Sequence, residues 1–108
     1  MKYTIDAMLT QLGYTINESV KKQMENIIKN TKNFIDIQKH VIQLNDALKP
    51  FQAYIAMSNS NNYLKIKNES HRESLKKVDE MIHEWAKKYK IKLQKVENKE
   101  TYYILGKS

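Results

Sequence analysis

A lysine-rich stretch in the second half of the chain contains the residues whose types and spacing best suit binding chemistry. Lysine side chains neutralise phosphates and tyrosine rings stack on bases, so the pattern predicts a nucleic-acid-binding surface. The predicted surface comprises Lys87, Lys88, Tyr89, Lys90, Lys92, Lys95, Tyr102 and Tyr103. A purely structural interpretation is also open. Lysines at a helix end complement its dipole, alternating lysines protect a strand edge, and tyrosines favour strands.

The three histidines, His40, His71 and His83, are the other side chains with chemical potential. They lack the His-Glu-x-x-His spacing of a zinc site, and a chain without cysteine has no thiolate catalysis, disulfide or cysteine-based zinc site. One of them beside an acidic residue would suit phosphodiester cleavage, as in small ribonuclease toxins, but the sequence indicates no particular pair. With only two glycines, the chain has no glycine-rich phosphate loop. We therefore expect a protein that is not an enzyme and uses no metal or cofactor.

The net charge of +7 would attract polyanions such as DNA or RNA. The excess is concentrated in residues 55–108, which carry twelve basic and seven acidic residues, whereas residues 1–54 carry seven and five. Eighteen of the nineteen basic residues are lysine, and asparagine and isoleucine are also frequent, which codon bias in an AT-rich genome equally predicts. Lysine in place of arginine favours contacts with the nucleic-acid backbone over recognition of particular bases.

The elements that position these residues begin with a predicted helical half. A short helix is predicted over residues 4–12, where Gly13 ends it. Thr15 and Glu18 have the spacing of a capping box and predict the start of a long helix. The weak helix formers at 30–33 indicate either a bend in this helix or a turn between two antiparallel helices.

Apolar residues at three-four spacing form a seam along this long helix. The seam consists of Val20, Met24, Ile27, Phe34, Val41 and Leu48. Two chains that paired along it would bury enough apolar surface to offset the cost of association, which makes these six residues a candidate dimer interface. The alternative is that the chain covers the seam internally. A protein-interaction module, such as an adaptor or inhibitor, would also offer this seam to a partner.

The second half begins with ambiguous signals. Pro50 either ends the long helix or opens another at its first turn. Residues 51–57 fit both a strand and a helix, and we favour the helix. The polar run 58–62 predicts a loop and the clearest internal boundary.

A strand-helix-strand-strand unit is predicted after this loop. Residues 63–67 alternate as a strand, and Ser70 and Glu73 suggest a second capping box for the following helix. That helix carries an apolar stripe formed by Leu75, Val78, Ile82, Trp85 and Tyr89. A hairpin follows, with a turn at 98–100.

The predicted fold is therefore α+β and mainly α, as one domain over residues 1–108. A helical part (1–57) precedes a strand-helix-hairpin part (63–108) with an antiparallel sheet. No apolar run reaches the roughly 18 residues of a membrane span, so we expect no membrane association and a cytoplasmic location. The expected partner is the backbone of DNA or RNA, alternatively another protein, with a homodimer as the expected assembly.

Overall fold

Helices and one sheet make up the computed structural model, which describes residues 4–58 and 61–107. The elements are α1 (Ile5–Gln11), α2 (Glu18–Asn30), α3 (Phe34–Leu48), a 3-10 turn (Lys49–Phe51), β1 (Ala53–Met57), β2 (Leu64–Asn68), α4 (Arg72–Lys88), β3 (Ile91–Lys95) and β4 (Thr101–Lys107). The predicted class, mainly α with an antiparallel sheet, is confirmed. Within these described ranges, no helix has the length and apolar character needed to cross a membrane.

The sheet is antiparallel and has the strand order β1-β2-β4-β3. β4 pairs with β2 on one side and with β3 on the other, so it lies between two strands that α4 joins. Because β2 and β3 both run antiparallel to β4, they are parallel to each other, and α4 is the crossover between them. β1 forms the other edge through its hairpin with β2.

The helix starts differ from the predicted capping boxes. α2 begins at Glu18 because the Oδ1 atom of Asn17 accepts a hydrogen bond from the Val20 N–H at 2.9 Å, so the predicted cap at Thr15 is wrong. The predicted cap at Ser70 is also wrong, since its hydroxyl donates to the Asn68 side chain and the α4 N-cap residue makes no side-chain cap.

The long predicted helix is two helices, α2 and α3, separated at residues 31–33. Lys32 leaves helical geometry because its backbone pairs with the end of β4. Its N–H donates to the Leu105 carbonyl, and its own carbonyl accepts from the Lys107 N–H at 2.9 Å. Gly106 permits this approach, since a Cβ atom there would stand 2.5 Å from the Lys32 backbone nitrogen and oxygen.

Residues 53–57 form a strand, so the helix that we favoured over 51–57 is wrong. α3 ends at Leu48, Pro50 lies in the 3-10 turn, and Gln52 has a left-handed φ of 60°, which redirects the chain into β1. The division between a helical part and a sheet part also fails, because β1 belongs to the first part and pairs along its length with β2.

Side chains from the helices and from the α1–α2 connection close the outer edge of β1. The Ile55 N–H donates to Asn45 Oδ1 at 2.9 Å, and the Met57 N–H donates to the Tyr14 hydroxyl at 2.7 Å. The Gln23 side-chain amide donates to the Ser58 carbonyl just beyond the strand. These bonds satisfy backbone groups that an edge strand otherwise leaves for another chain to pair with.

The helical seam is covered within the chain. Five of its six residues are buried in a core shared with the sheet, namely Met24, Ile27, Phe34, Val41 and Leu48. Val20 is half-buried against the same core. The chain therefore covers the seam internally, which is one of the two alternatives considered above. The five buried side chains have almost no exposed surface with which to contact a second copy.

Candidate nucleic-acid interface

The residues of the predicted surface are divided among three places in the fold. Lys87 and Lys88 end α4, and Lys90 follows in a turn with a left-handed φ of 58°. Lys92 is the second residue of β3, whereas Lys95 is the last residue of that strand and pairs with Tyr102. The structure therefore brings Lys88, Tyr89, Lys90 and Lys92 to one end of the sheet, whereas Lys95 and Tyr102 lie at the other end of β3.

Five lysines from three separate segments meet at one end of the sheet, which we call the lysine corner. They are Lys32 from the α2–α3 turn, the three lysines around the α4–β3 turn (Lys88 at the end of α4, Lys90 in the turn and Lys92 in β3), and Lys107 from the end of β4. The five line two concavities of about 360 and 120 Å³, both of which include Lys107. Asp36 is the acidic residue in their lining. The corner is thus a strongly cationic concave surface.

The charges of the lysine corner are largely uncompensated. Within residues 4–58 and 61–107, no ion pair is formed by Lys32, Lys88, Lys92 or Lys107. Lys32, Lys88 and Lys92 are exposed, so their ammonium groups are accessible to an anion. Lysines that share a concave surface with few acidic neighbours raise the local positive potential more than scattered lysines do.

Tyr89 has a packing role beside the lysine corner. Its ring stacks on His40 with centroids 3.7 Å apart and an interplanar angle of 17°. The Trp85 indole N–H donates to the His40 carbonyl at 3.1 Å, which fixes this part of α3 against α4. Because His40 covers one face of the ring, Tyr89 is poorly placed to stack on a base.

Tyr102 is buried, with 4% of its surface exposed, and offers little of its ring for stacking. Its hydroxyl donates to Asp79 and lies 3.1 Å from His83 Nε2. Burial raises the pKa of the Tyr102 phenol above its ordinary value, and the hydrogen bond to Asp79 adds to this effect. Tyr102 therefore keeps its proton at neutral pH and does not supply a nucleophilic phenolate.

The open face of the sheet is a second polar surface. The side chains of Ile55, Ile66 and Ile104 point into the core, so the alternate residues of the same strands face away from the helices. Two rows cross this face: Tyr54 pairs with Lys67, and Lys65 pairs with Tyr103.

Tyrosines and lysines are neighbours on this open face. The rings of Tyr63 and Tyr103 lie 6.1 Å apart, and Lys67 Nζ lies 5.9 Å from the centre of the Tyr54 ring. Glu69 accepts hydrogen bonds from Lys67 at 3.2 Å and from Tyr54 at 3.1 Å. The bond between Lys67 and Glu69, with a smaller contribution from Tyr54, raises the pKa of Lys67 and lowers that of Glu69.

A groove of about 500 Å³ lies on the open face. Its charged lining residues are Lys65, Lys67, Lys99, Glu69 and Glu100. With three lysines against two glutamates, its charge is nearly balanced. The groove therefore suits polar and aromatic ligand groups better than a row of phosphates, in contrast to the lysine corner.

Sequence reasoning missed several of these residues. Lys32 and Lys107 lie 75 residues apart in the chain, and only the pairing of Lys32 with β4 brings them together. The alternation of residues 63–67 placed Tyr63, Lys65 and Lys67 on the polar side of a predicted strand. Which residues of other strands lie beside them depends on the strand order, which the alternation does not give.

No group of three or more His, Asp or Glu side chains is placed to hold a metal ion in the part of the chain that the structure describes. His40, His71 and His83 occupy different settings: stacked on Tyr89, at the start of α4, and beside Asp79. Comparison of the chain with protein-family models, with curated proteins and with solved structures gives no significant match.

Proposed function

We propose that this protein is a non-enzymatic nucleic-acid-binding protein that contacts the phosphate backbone through the lysine corner. One observation supports the proposal: lysines from three segments distant in sequence line two concavities that share Lys107, and Asp36 is the one acidic residue in their lining among the described residues. Codon bias would account for the abundance of lysine, but it does not account for this convergence.

The chemistry of the corner favours backbone contact without strong sequence preference. Each lysine that neutralises a phosphate releases a condensed counterion, and affinity then falls steeply with salt. Lysine lacks the planar fork with which arginine recognises guanine, so these side chains are suited to phosphates. A protein that binds in this way tolerates many sequences.

The rival proposal of a protein-interaction module is weakened by the burial of the helical seam. Five of the six seam residues lie in the core, so a partner could reach them only by opening the fold. A nuclease would depend on the acid–base cluster formed by Asp79, His83 and Tyr102, in which the Tyr102 phenol is buried and hydrogen-bonded to Asp79.

The proposal is tested by fluorescence anisotropy with short labelled DNA duplexes and RNA strands, at salt concentrations from about 50 to 200 mM. One variant combines Lys32→Gln, Lys88→Gln and Lys92→Gln. A matched control combines Lys22→Gln, Lys49→Gln and Lys76→Gln, which removes the same charge from exposed positions on α2, the 3-10 turn and the first half of α4.

The corner variant should bind duplex DNA at least about tenfold more weakly than the natural protein, and its slope of log affinity against log salt should fall by about 2 to 3. The control should retain most of the slope. Absence of binding at low salt, or equal losses in the two variants, would contradict the proposal. Cleavage of the labelled strand on a gel would instead support a nuclease.

A further inference from the structure

We propose that the open face of the sheet makes this protein selective for single-stranded nucleic acid, with bases stacking on Tyr54 and Tyr103. The inference rests on the proposed function and names its substrate class. In this arrangement the lysine corner contacts phosphates, and the open face receives unpaired bases.

Aromatic rings are concentrated on the open face. Of the described tyrosines, Tyr14 and Tyr102 lie on the helix side of the sheet, where they bond to the strand β1 and to Asp79, and Tyr89 is stacked on His40. The remaining three, Tyr54, Tyr63 and Tyr103, all belong to the open side of the sheet. Such a ring stacks on a base of any identity because every base has a π-face.

The spacing of the rings favours separated bases. Tyr54 and Tyr103 lie on opposite sides of β2 and are offset by two residues, which places them about 12 Å apart in a sheet of ordinary spacing. Each ring therefore takes its own base, and those bases cannot stack on each other. A duplex keeps its bases paired inside, whereas a single strand can splay them onto a protein surface.

The open face adjoins the lysine corner. Tyr103 precedes Gly106 by three residues on β4, a distance of about 10 Å, and Gly106 lies in the lining of the corner beside Lys32 and Lys92. A single-stranded nucleic acid whose phosphates lie at the lysine corner thus reaches Tyr103 within a few nucleotides. The nearly balanced charge of the groove on the open face suits bases better than phosphates, because base edges are polar and uncharged.

Lys65 and Lys67 complete the site between the two rings. They project from the same face of β2, with Lys65 paired to Tyr103 and Lys67 paired to Tyr54. Glu69 holds Lys67 by an ion pair and Tyr54 by a hydrogen bond, which orients both groups. Along β2, buried residues therefore alternate with lysines, and each of these two lysines lies beside a tyrosine of a neighbouring strand.

The experiment compares the affinities of a short labelled DNA strand and of the duplex of the same sequence at one low salt concentration. The test variant combines Tyr54→Thr with Tyr103→Thr, since threonine is a strand former without a ring. The matched control combines Tyr54→Phe with Tyr103→Phe. A single Tyr54→Thr variant, at an edge-strand position that is 36% exposed, covers the case in which Tyr103→Thr perturbs the fold.

The natural protein should bind the single strand more tightly than the duplex. The threonine double variant should lose about tenfold or more of its single-strand affinity while its duplex affinity stays within about twofold, and the phenylalanine variant should keep the preference. Equal affinity for the two forms, or a threonine variant without effect, overturns the inference and leaves the proposed function standing. Absence of binding to both forms removes the proposed function itself.

Discussion

The two edge strands of the sheet are protected in different ways. β1 is closed by side chains from the helical half, which bond to its outward backbone groups. β3 receives no hydrogen bond on its outer side among the described residues, and it carries exposed Lys92, Gln94 and Lys95. One edge is thus closed by specific bonds, and the other is kept from pairing by charge and hydration. The hydrogen bonds at β1 should contribute to the stability of the fold, and the charged side chains of β3 should contribute to the solubility of the protein.

The largest effect on stability is expected from Asn45→Ala at the closed edge. Asn45 is 3% exposed, and its loss leaves the buried Ile55 N–H without an acceptor, which should lower the free energy of unfolding by about 2 to 3 kcal/mol. Urea denaturation followed by circular dichroism measures the change. Asp46→Ala is the control, because its ion pair with Lys49 is exposed and should matter little. Equal effects of the two substitutions would show that the edge is not closed by Asn45.

A smaller effect is expected from Tyr14→Phe. This change removes only the hydroxyl that accepts from the Met57 N–H, a bond that is partly buried, and should cost about 1 kcal/mol in the same urea measurement. Tyr54→Phe removes a hydroxyl from an exposed bond to Glu69 and should change stability by less than about 0.5 kcal/mol. The reverse order would mean that water replaces Tyr14 at the edge without loss.

The smallest effect on stability is expected at the open edge, from Lys92→Val combined with Lys95→Val. Both side chains are exposed and valine favours strands, so the free energy of unfolding should change by less than about 0.5 kcal/mol. Self-association measured by sedimentation velocity should increase, because the edge loses the charges that oppose pairing. Lys22→Ala combined with Lys76→Ala removes the same charge elsewhere and should leave self-association unchanged. If neither variant associates, the lysines of β3 are not edge protection.

Elements with a long local pattern were predictable from the sequence, and α4 illustrates this. Its stripe places Val78, Ile82 and Trp85 at helical spacing, and all three are buried against the core. No such repeat extends over residues 51–57, which are too few to distinguish strand from helix. Their conformation depends on Asn45 and on pairing with β2, and neither contact can be inferred from local spacing.

The candidate site was predictable in part for the same reason. Lys88, Lys90 and Lys92 are close in sequence, so a local scan finds them together. Lys32 joins them only through its backbone pairing with Gly106, and the burial of Tyr102 depends on its contact with α4. Site residues that come from distant segments can be predicted only when the strand order is known, and the sequence pattern alone did not give that order.

The central position of β4 has a consequence for the order of folding. β2 and β3 have no partner on their facing sides until β4 enters between them, although β4 follows both in the chain. The Asn33 side chain, 74 residues from Lys107, bonds to its carbonyl, so docking of β4 also closes a long loop. Local helices should form early, and assembly of the sheet should limit the rate of folding. The lysine corner comes into existence only in that last step.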